Sequence, residues 1–219
     1  QPACRALTCS VTSVLFAAFT GANRAQNLAV LSPQRTEESA ERLKRMLNSD
    51  KNIFVSGETN LDNFVRLKRL TRAELAENLK INPQKDWVLC TYHAETTISL
   101  EENLRRVRNL IRLFSENLQE KEIIITKANT DFGGVNINEV FEHHQKIYSN
   151  IHLFSSLGQL RYISILHEIL FMIGNSSSGI FETPLIKLPV INIGNRQLGR
   201  NYTSNIISST GDLSDLVIA

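Results

Sequence analysis

Apolar residues follow two rhythms along this chain. Short runs of four or five consecutive apolar residues alternate with longer stretches in which they return every third or fourth position. The first rhythm belongs to strands buried on both faces, the second to amphipathic helices. Residues 28–31 predict a short strand. Ser32-Pro33 predicts an N-cap with proline at the first helical position, opening a helix that continues over residues 36–47. Residues 53–56 predict a strand running into Gly57, with a loop from Glu58 to Asn63 after it. A charged helix over 71–79 closes at Asn82-Pro83, before the strongly apolar strand 86–92. Residues 101–118 carry Leu104, Val107, Leu110, Ile111 and Phe114 as one helical stripe. The alternation then continues with strand 122–126, helix 136–148, strand 151–154 and helix 159–168. Strand 169–173, helix 179–186 and strand 189–193 complete it. Such alternation indicates a parallel sheet covered on both faces, an α/β fold of the doubly wound kind.

Sheets of this kind bind ligands at the carboxyl ends of their strands. His93, Asn129, Ser156, Ser176 to Ser178 and Asn195-Arg196 all follow closely after apolar strands. The most informative is the stretch Gly174-Asn175-Ser176-Ser177-Ser178-Gly179-Ile180-Phe181-Glu182. An apolar strand breaks there into a Gly/Asn/Ser turn that opens a helix. Backbone N–H groups at such a turn favour an anion, and the serine hydroxyls add donors. Glu182 would repel a phosphate, but a carboxylate at that point suits a vicinal diol, as the ribose-binding acid does in dinucleotide folds. Together these features suggest a nucleotide diphosphate ligand.

The other strand ends carry weaker signals. His93 can hydrogen-bond a phosphate or shuttle a proton near neutral pH, or be a satisfied structural histidine. In Ala128-Asn129-Thr130-Asp131-Phe132-Gly133-Gly134, Asn129 and Asp131 can contact a base or sugar, yet the loop is also ordinary turn chemistry. Arg196 and Arg200 lie on a glycine-flanked loop after a buried run, where guanidinium forks suit phosphate or the face of a base. His143-His144 reads as a solvated helix face, and His152 and His167 lack partners at metal spacing.

Composition narrows the picture only slightly. The chain has 219 residues, 42% hydrophobic and 21% charged, with a net charge of +2. That charge is too small to suggest a nucleic-acid partner. The basic clusters Arg66-Leu67-Lys68-Arg69 and Arg105-Arg106-Val107-Arg108 fall in helical stretches and read as solvated faces. Cys4, Cys9 and Cys90 form no CxxC pair and leave an odd count, which indicates neither a zinc site nor a disulfide framework but a reducing cytoplasm. The apolar run 11–19 is too short to span a bilayer and reads as the ragged start of a truncated chain rather than a signal segment. No membrane partner is expected.

Four motifs in order carry a resemblance. They are Thr91-Tyr92-His93, Ala128-Asn129-Thr130-Asp131, the Gly174 to Glu182 turn, and the run from Leu188 through Asn192-Ile193-Gly194-Asn195-Arg196-Gln197-Leu198-Gly199-Arg200. With them, roughly residues 28–209 resemble the hydrolysing UDP-N-acetylglucosamine 2-epimerases of sialic and legionaminic acid biosynthesis. The non-hydrolysing branch carries a His-Arg-Arg-Glu-Asn run where this chain has His93-Ala94-Glu95-Thr96-Thr97, so the hydrolysing branch is favoured.

The resemblance implies the second, nucleotide-binding domain of a glycosyltransferase-B fold, in a family about twice this length. Residues 1–27 would be an unmatched, disordered or truncation-derived segment. Residues 28–219 would be the Rossmann-like domain, cut short at its C-terminal end. Ser176 and Ser177 would hold the diphosphate, Glu182 the ribose hydroxyls, and Asn129, Asp131 and Arg196 the UDP moiety, with the Leu157 backbone close by. His93 would lie at the phosphate next to the reacting sugar as the catalytic residue. The family is thought to release UDP and the C2 proton to give a glycal, then add water to yield free N-acetylmannosamine. Its acid/base carboxylates come largely from the first domain, so this chain would bind a UDP-sugar without turning it over alone. No cofactor or metal is implied, and the full-length family is expected to form homo-oligomers. A glycosyltransferase of the same architecture and a catalytically silent UDP-binding module are the alternatives. The sugar, plain or 4-acetamido-6-deoxy, stays open.

Overall fold

The computed structural model describes residues 32–34, 36–57 and 61–219. The strand expected over 28–31 and the boundary expected at 27/28 lie outside them. The chain divides into two compact units, Gln1–Thr59 and Asn60–Ala219.

In the first unit, β1 (Ser32–Gln34) and β2 (Ile53–Val55) pair in parallel, with Ser32 opposite Ile53. The helix α1 (Glu37–Leu47) lies between them in sequence. Ser32-Pro33 therefore belongs to a strand and does not cap the helix. Thr36 caps it instead, its hydroxyl accepting the Ser39 amide at 3.1 Å, with Glu37 and Glu38 in the first turn to complement the helix dipole. A proline is tolerated in β1 because a two-stranded sheet leaves edges on which a missing N–H costs no ladder bond.

The second unit begins with α2 (Leu61–Arg66), partly where a loop was expected, and α3 (Arg72–Leu79). Thr71 and Glu74 form a reciprocal capping box at the start of α3. Then follow β3 (Trp87–Thr91), α4 (Leu100–Arg112), β4 (Glu122–Thr126) and α5 (Gly134–His144). The expected single helix over 101–118 is α4 plus one π-helical turn, Leu113–Asn117. Next come β5 (Ile151–Phe154), α6 (Gly158–Leu166), β6 (Phe171–Gly174), α7 (Ser178–Phe181) and α8 (Thr183–Ile186). The helix expected over 179–186 is thus two short pieces meeting at Glu182. Pro184, in the first turn of α8, has no amide to continue the α7 ladder. The unit ends with β7 (Val190–Ile193), β8 (Ile206–Ser209) and α9 (Leu213–Ile218), the last two not foreseen from sequence.

Six strands pair in parallel in the order β5-β4-β3-β6-β7-β8. Starting from β3, the chain builds outward through β4 and β5. It then returns to the other side of β3 and builds outward through β6, β7 and β8. This is the doubly wound Rossmann-like order, and the reversal between β3 and β6 is its topological switch point.

Alternation along the strands sorts side chains between two cores. Val88, Cys90, Ile123, Ile125, Ile173, Ile191 and Ile193 face one, with residues of α4, α5 and α9. Trp87, Leu89, Ile124, Met172 and Val190 face the other, with residues of α3 and α6. Both faces are dry, which is why these strands read as continuous apolar runs. Among the described residues no helix is long and apolar enough to cross a membrane.

Register fixes what meets at the carboxyl end. Thr91 pairs with Thr126 on one side and Gly174 on the other, and Gly174 pairs with Asn192. The segments after β3, β4, β6 and β7 therefore leave the sheet at one level. Gly174 is required for this: its φ is +136°, and an added Cβ would lie 2.0 Å from the Thr91 carbonyl oxygen. Gly174→Ala should destabilise the fold by about 3 kcal/mol or more, measured by denaturant unfolding. A variant as stable as the parent would show that the two strand ends do not approach this closely.

Candidate functional site

At the switch point, Asn175 follows β6 directly and is fully buried. Its backbone amide donates to the Thr91 carbonyl at 3.0 Å, extending the β3–β6 ladder. Its side-chain amide closes on the backbone of His93. Oδ1 accepts the His93 N–H and Nδ2 donates to the His93 carbonyl, both at 2.8 Å. His93 is thereby fixed across the crevice although it lies outside any strand.

The imidazole is fixed as well. The Asn129 amide donates to His93 Nδ1 at 3.1 Å, so in the neutral ring the proton sits on Nε2. Burial, and then the nearby Arg196 charge, push the His93 pKa down to about 4 against the opposing pull of Asp131. His93 is therefore a neutral N–H donor at neutral pH. The Asn129 side chain donates in turn to the Asp131 carboxylate. A second asparagine clamp holds this loop to α5: Asn138 accepts the Ala128 N–H at 2.8 Å and donates to its carbonyl at 3.1 Å. Gly134 permits the tight exit, since a Cβ there would lie 1.9 Å from the Asn129 carbonyl oxygen.

Arg196 comes to the same place from the loop after β7. Its Nη1 donates to the Asn175 carbonyl at 3.1 Å, and Gln197 Nε2 donates to that oxygen at 2.7 Å. Arg196 is half-buried, and burial pulls its guanidinium below the usual value, against the pull of Asp131 and Glu95. Among the described residues no carboxylate forms an ion pair with it; its contact is to a neutral carbonyl. Arg200, by contrast, rests over the Phe181 ring, 4.8 Å from its centroid.

A buried ion pair secures the Arg196 loop. Glu95 Oε2 accepts from Arg106 Nη1 at 2.8 Å and from the Asn195 amide at 3.1 Å, while Thr97 Oγ1 donates to Oε1 at 3.2 Å. Gly194 leaves room for the pair, because a Cβ there would sit 2.2 Å from Arg106 Nη1 and 2.4 Å from Glu95 Oε2. Pairs of this kind cost much desolvation and are better at fixing geometry than at adding stability. Here the geometry fixed is the approach of the β7 loop to the His93 loop.

The serine turn forms the other wall. Among the described residues the amides of Ser176 and Ser177 have no partner within the protein, whereas those of Gly179, Ile180 and Phe181 are satisfied within the turn. The Ser178 hydroxyl is engaged within the protein. It donates to Glu182 Oε2 at 2.6 Å and is bonded to the Tyr162 hydroxyl on α6. That contact ties the middle of α6 to the turn. Leu157, just before α6, buries its side chain, and its carbonyl accepts Arg161 Nε at 2.7 Å.

The structure thus gathers His93, Asn129, Asp131 and Arg196 into one cluster and keeps Ser176, Ser177 and Glu182 on one turn, with Asn175 between them, while Leu157 buries its side chain in the apolar core against which Tyr162 packs. Asn175, Gln197, Tyr162 and Glu95 were not singled out from sequence, and Arg106, expected on a solvated helix face, is instead buried in its pair with Glu95, on the face of α4 turned to the sheet. Asn175 and Gln197 do lie inside the motifs that carried the resemblance, and Glu95 lies two residues beyond one of them; a polar residue beside a strand end was the available signal. Among the described residues no three His, Cys, Asp or Glu side chains gather where they could hold a metal ion.

Two outcomes follow from this geometry. Asn175→Ala should cost about 2–4 kcal/mol in denaturant unfolding, since it strands both His93 backbone groups; a loss below about 0.5 kcal/mol would contradict the clamp. His93 stays neutral in the fold down to about pH 4 but protonates near 6.5 when unfolded. Its contribution to stability is therefore full above about pH 6.5 and lost as pH falls towards 4. In His93→Gln the rise of stability across that window should be shallower, by about one proton's linkage, than in the parent. Parallel pH profiles would refute the depressed pKa.

Residues 23–217 match the UDP-N-acetylglucosamine 2-epimerase family. The chain is 35% identical over 177 residues to a GDP/UDP-N,N'-diacetylbacillosamine 2-epimerase (hydrolyzing) of Campylobacter jejuni, covering 80% of this chain and 45% of that protein. It is 32% identical over 174 residues to the UDP-N,N'-diacetylbacillosamine 2-epimerase (hydrolyzing) of Legionella pneumophila, covering 78% and 45%. The chain thus spans a little under half the length of these relatives. A crystal structure of UDP-GlcNAc 2-epimerase from Neisseria meningitidis, bound to UDP-GlcNAc, superposes with a TM-score of 0.63 at 14% identity, over 84% of this chain and 50% of that one. At that identity it speaks for the fold alone, the Rossmann-like sheet of a glycosyltransferase-B domain. By sequence, this chain belongs to the UDP-N-acetylglucosamine 2-epimerase family.

Proposed function

We propose that the unit Asn60–Ala219 is the UDP-binding half of a hydrolysing 2-epimerase acting on a UDP-N-acetyl sugar. The observation that carries this is Arg196, a half-buried cation without a carboxylate partner among the described residues, set beside a neutral His93 at the switch point. A half-buried positive charge left in that state is stabilised by an anionic ligand.

The remaining groups divide by chemistry. The Ser176 and Ser177 amides and hydroxyls offer donors to a diphosphate. Glu182 offers acceptors to the ribose hydroxyls, and the backbone by Leu157 lies on the base side. Asn129 and Asp131 line the wall nearest His93, towards the sugar. His93 Nε2–H would donate to the phosphate that joins UDP to the sugar and so stabilise the charge that grows there as the bond to UDP breaks. The reaction would lose the C2 proton and UDP to give a glycal, and water would then add to give the free 2-epimeric amino sugar. The carboxylates that move the C2 proton would come from the other half of a full-length protein, so this chain alone would bind without turnover. The names of the relatives above 30% identity favour a diacetamido sugar. Homo-oligomerisation of the full-length protein and a cytoplasmic location belong to the same proposal; the buried free thiol of Cys90 supports a reducing compartment.

Calorimetric titration of UDP into this chain should show binding, weakened about tenfold in Arg196→Gln and in Glu182→Gln. Absence of binding at millimolar UDP would refute the site. With the other half of the protein supplied, release of the free 2-epimeric sugar and UDP from UDP-N-acetylglucosamine or its diacetamido analogue should follow. Transfer of the intact sugar to an acceptor would refute the epimerase reading while sparing the nucleotide site.

A further inference from the structure

The serine turn contains a hydrogen-bond chain whose direction is fixed by chemistry. Tyr162 OH is bonded to Ser178 Oγ, and Ser178 Oγ is bonded to Glu182 Oε2 at 2.6 Å. An ionised carboxylate only accepts, so Ser178 spends its single proton on Glu182. The Ser178 oxygen then has only lone pairs to offer, and the phenol must donate to it. Burial, and then the charge of Glu182, push the Tyr162 pKa well up, so the phenol keeps that proton at any working pH. Tyr162 also packs against the apolar cluster containing Leu157, Ile165 and Met172, which anchors its ring from α6.

We infer that Tyr162 is a positioning residue for ribose recognition, holding the Glu182 carboxylate through Ser178 in the orientation that accepts two vicinal hydroxyls. Without the phenol, the Ser178 hydroxyl can rotate about its Cβ–Oγ bond and donate elsewhere, releasing one oxygen of Glu182. With it, the two hydroxyl rotors and the carboxylate are locked in one donor sequence, and mutual polarisation strengthens each bond. This also explains why Ser178 parts company with Ser176 and Ser177: its hydroxyl serves the diol side of the turn and not the phosphate side. The role of Tyr162 depends on Glu182 holding the ribose, as proposed above.

The test compares UDP with 2′,3′-dideoxy-UDP, which lacks both ribose hydroxyls, by calorimetry on the parent, Tyr162→Phe, Glu182→Gln and the double variant. Tyr162→Phe should weaken UDP about fivefold and leave dideoxy-UDP unchanged. In the Glu182→Gln background it should add nothing, the signature of two residues acting through one interaction. Ser178→Ala should show the same selective loss, and it serves as the second probe if Tyr162→Phe folds poorly. Equal losses for both ligands, or no loss for UDP in either variant, would overturn the positioning role. If Glu182→Gln weakens UDP selectively while Tyr162→Phe and Ser178→Ala do not, the positioning role falls and the ribose assignment stands. If Glu182→Gln itself fails to discriminate the two ligands, both fall.

Discussion

Each backbone and side-chain polar atom of Asn175 has a partner, and the site hangs on those bonds. The backbone amide prolongs the β3–β6 ladder by one rung, and the side chain captures both polar groups of the His93 backbone. The carbonyl receives Arg196 and Gln197 from beyond β7. Three loops that leave the sheet from different strands are thereby tied to one buried residue. Such a tie is needed because the switch point is where neighbouring crossovers diverge, leaving a crevice with no ladder bonds to close it. A buried amide supplies the missing donors and acceptors without introducing a charge.

Among the described residues, Arg196 at that hub forms no ion pair with a carboxylate, although Asp131 and Glu95 pull on its charge. Glu95 and Arg106 neutralise each other in the interior and pin the Asn195 amide. His93 is kept neutral by burial and by the neighbouring guanidinium. Asp131 is engaged with the Asn129 side chain at the exposed edge. The donors near the switch point are Arg196, neutral His93 and the amides of Ser176 and Ser177, which have no partner among the described residues. An anion would meet donors that are already oriented, so little reorganisation would be needed on binding. At the end of the serine turn, Glu182 accepts from Ser178, which is bonded in turn to Tyr162. The proposed ligand, a diphosphate joined to a diol, would use both groups of residues.

Much of the second unit was legible in advance because its strands are buried on both faces. Trp87 to Cys90 and Ile123 to Ile125 are fully buried, and a continuous apolar run has few other destinations. The helix expected over 71–79 formed as α3, with a Thr71–Glu74 capping box at its start. The misses have local causes. Ser32-Pro33 has the residues of a helix start, but strand pairing with β2 decided its conformation. β8 is short and half-exposed, so it carries neither a buried run nor a clear alternation. The helix after the serine turn breaks at Glu182 because Pro184 cannot continue its ladder, a signal present in sequence but outweighed there by the surrounding apolar residues.

The sequence by itself determined the alternation of strands and helices, the polar residues that follow each strand, and the family to which their order belongs. These are properties of near neighbours along the chain, set by periodicity and turn chemistry. Tertiary structure alone decided which strand ends meet, because the order β5-β4-β3-β6-β7-β8 and the register of Thr91 with Thr126 and Gly174 are settled by pairing across long separations. It decided that Asn175 is the hub, that Glu95 finds Arg106, and that the His93 proton sits on Nε2. It also decided that Ser178 turns away from its two neighbours toward Glu182, because its hydroxyl meets Tyr162, sixteen residues away along the chain.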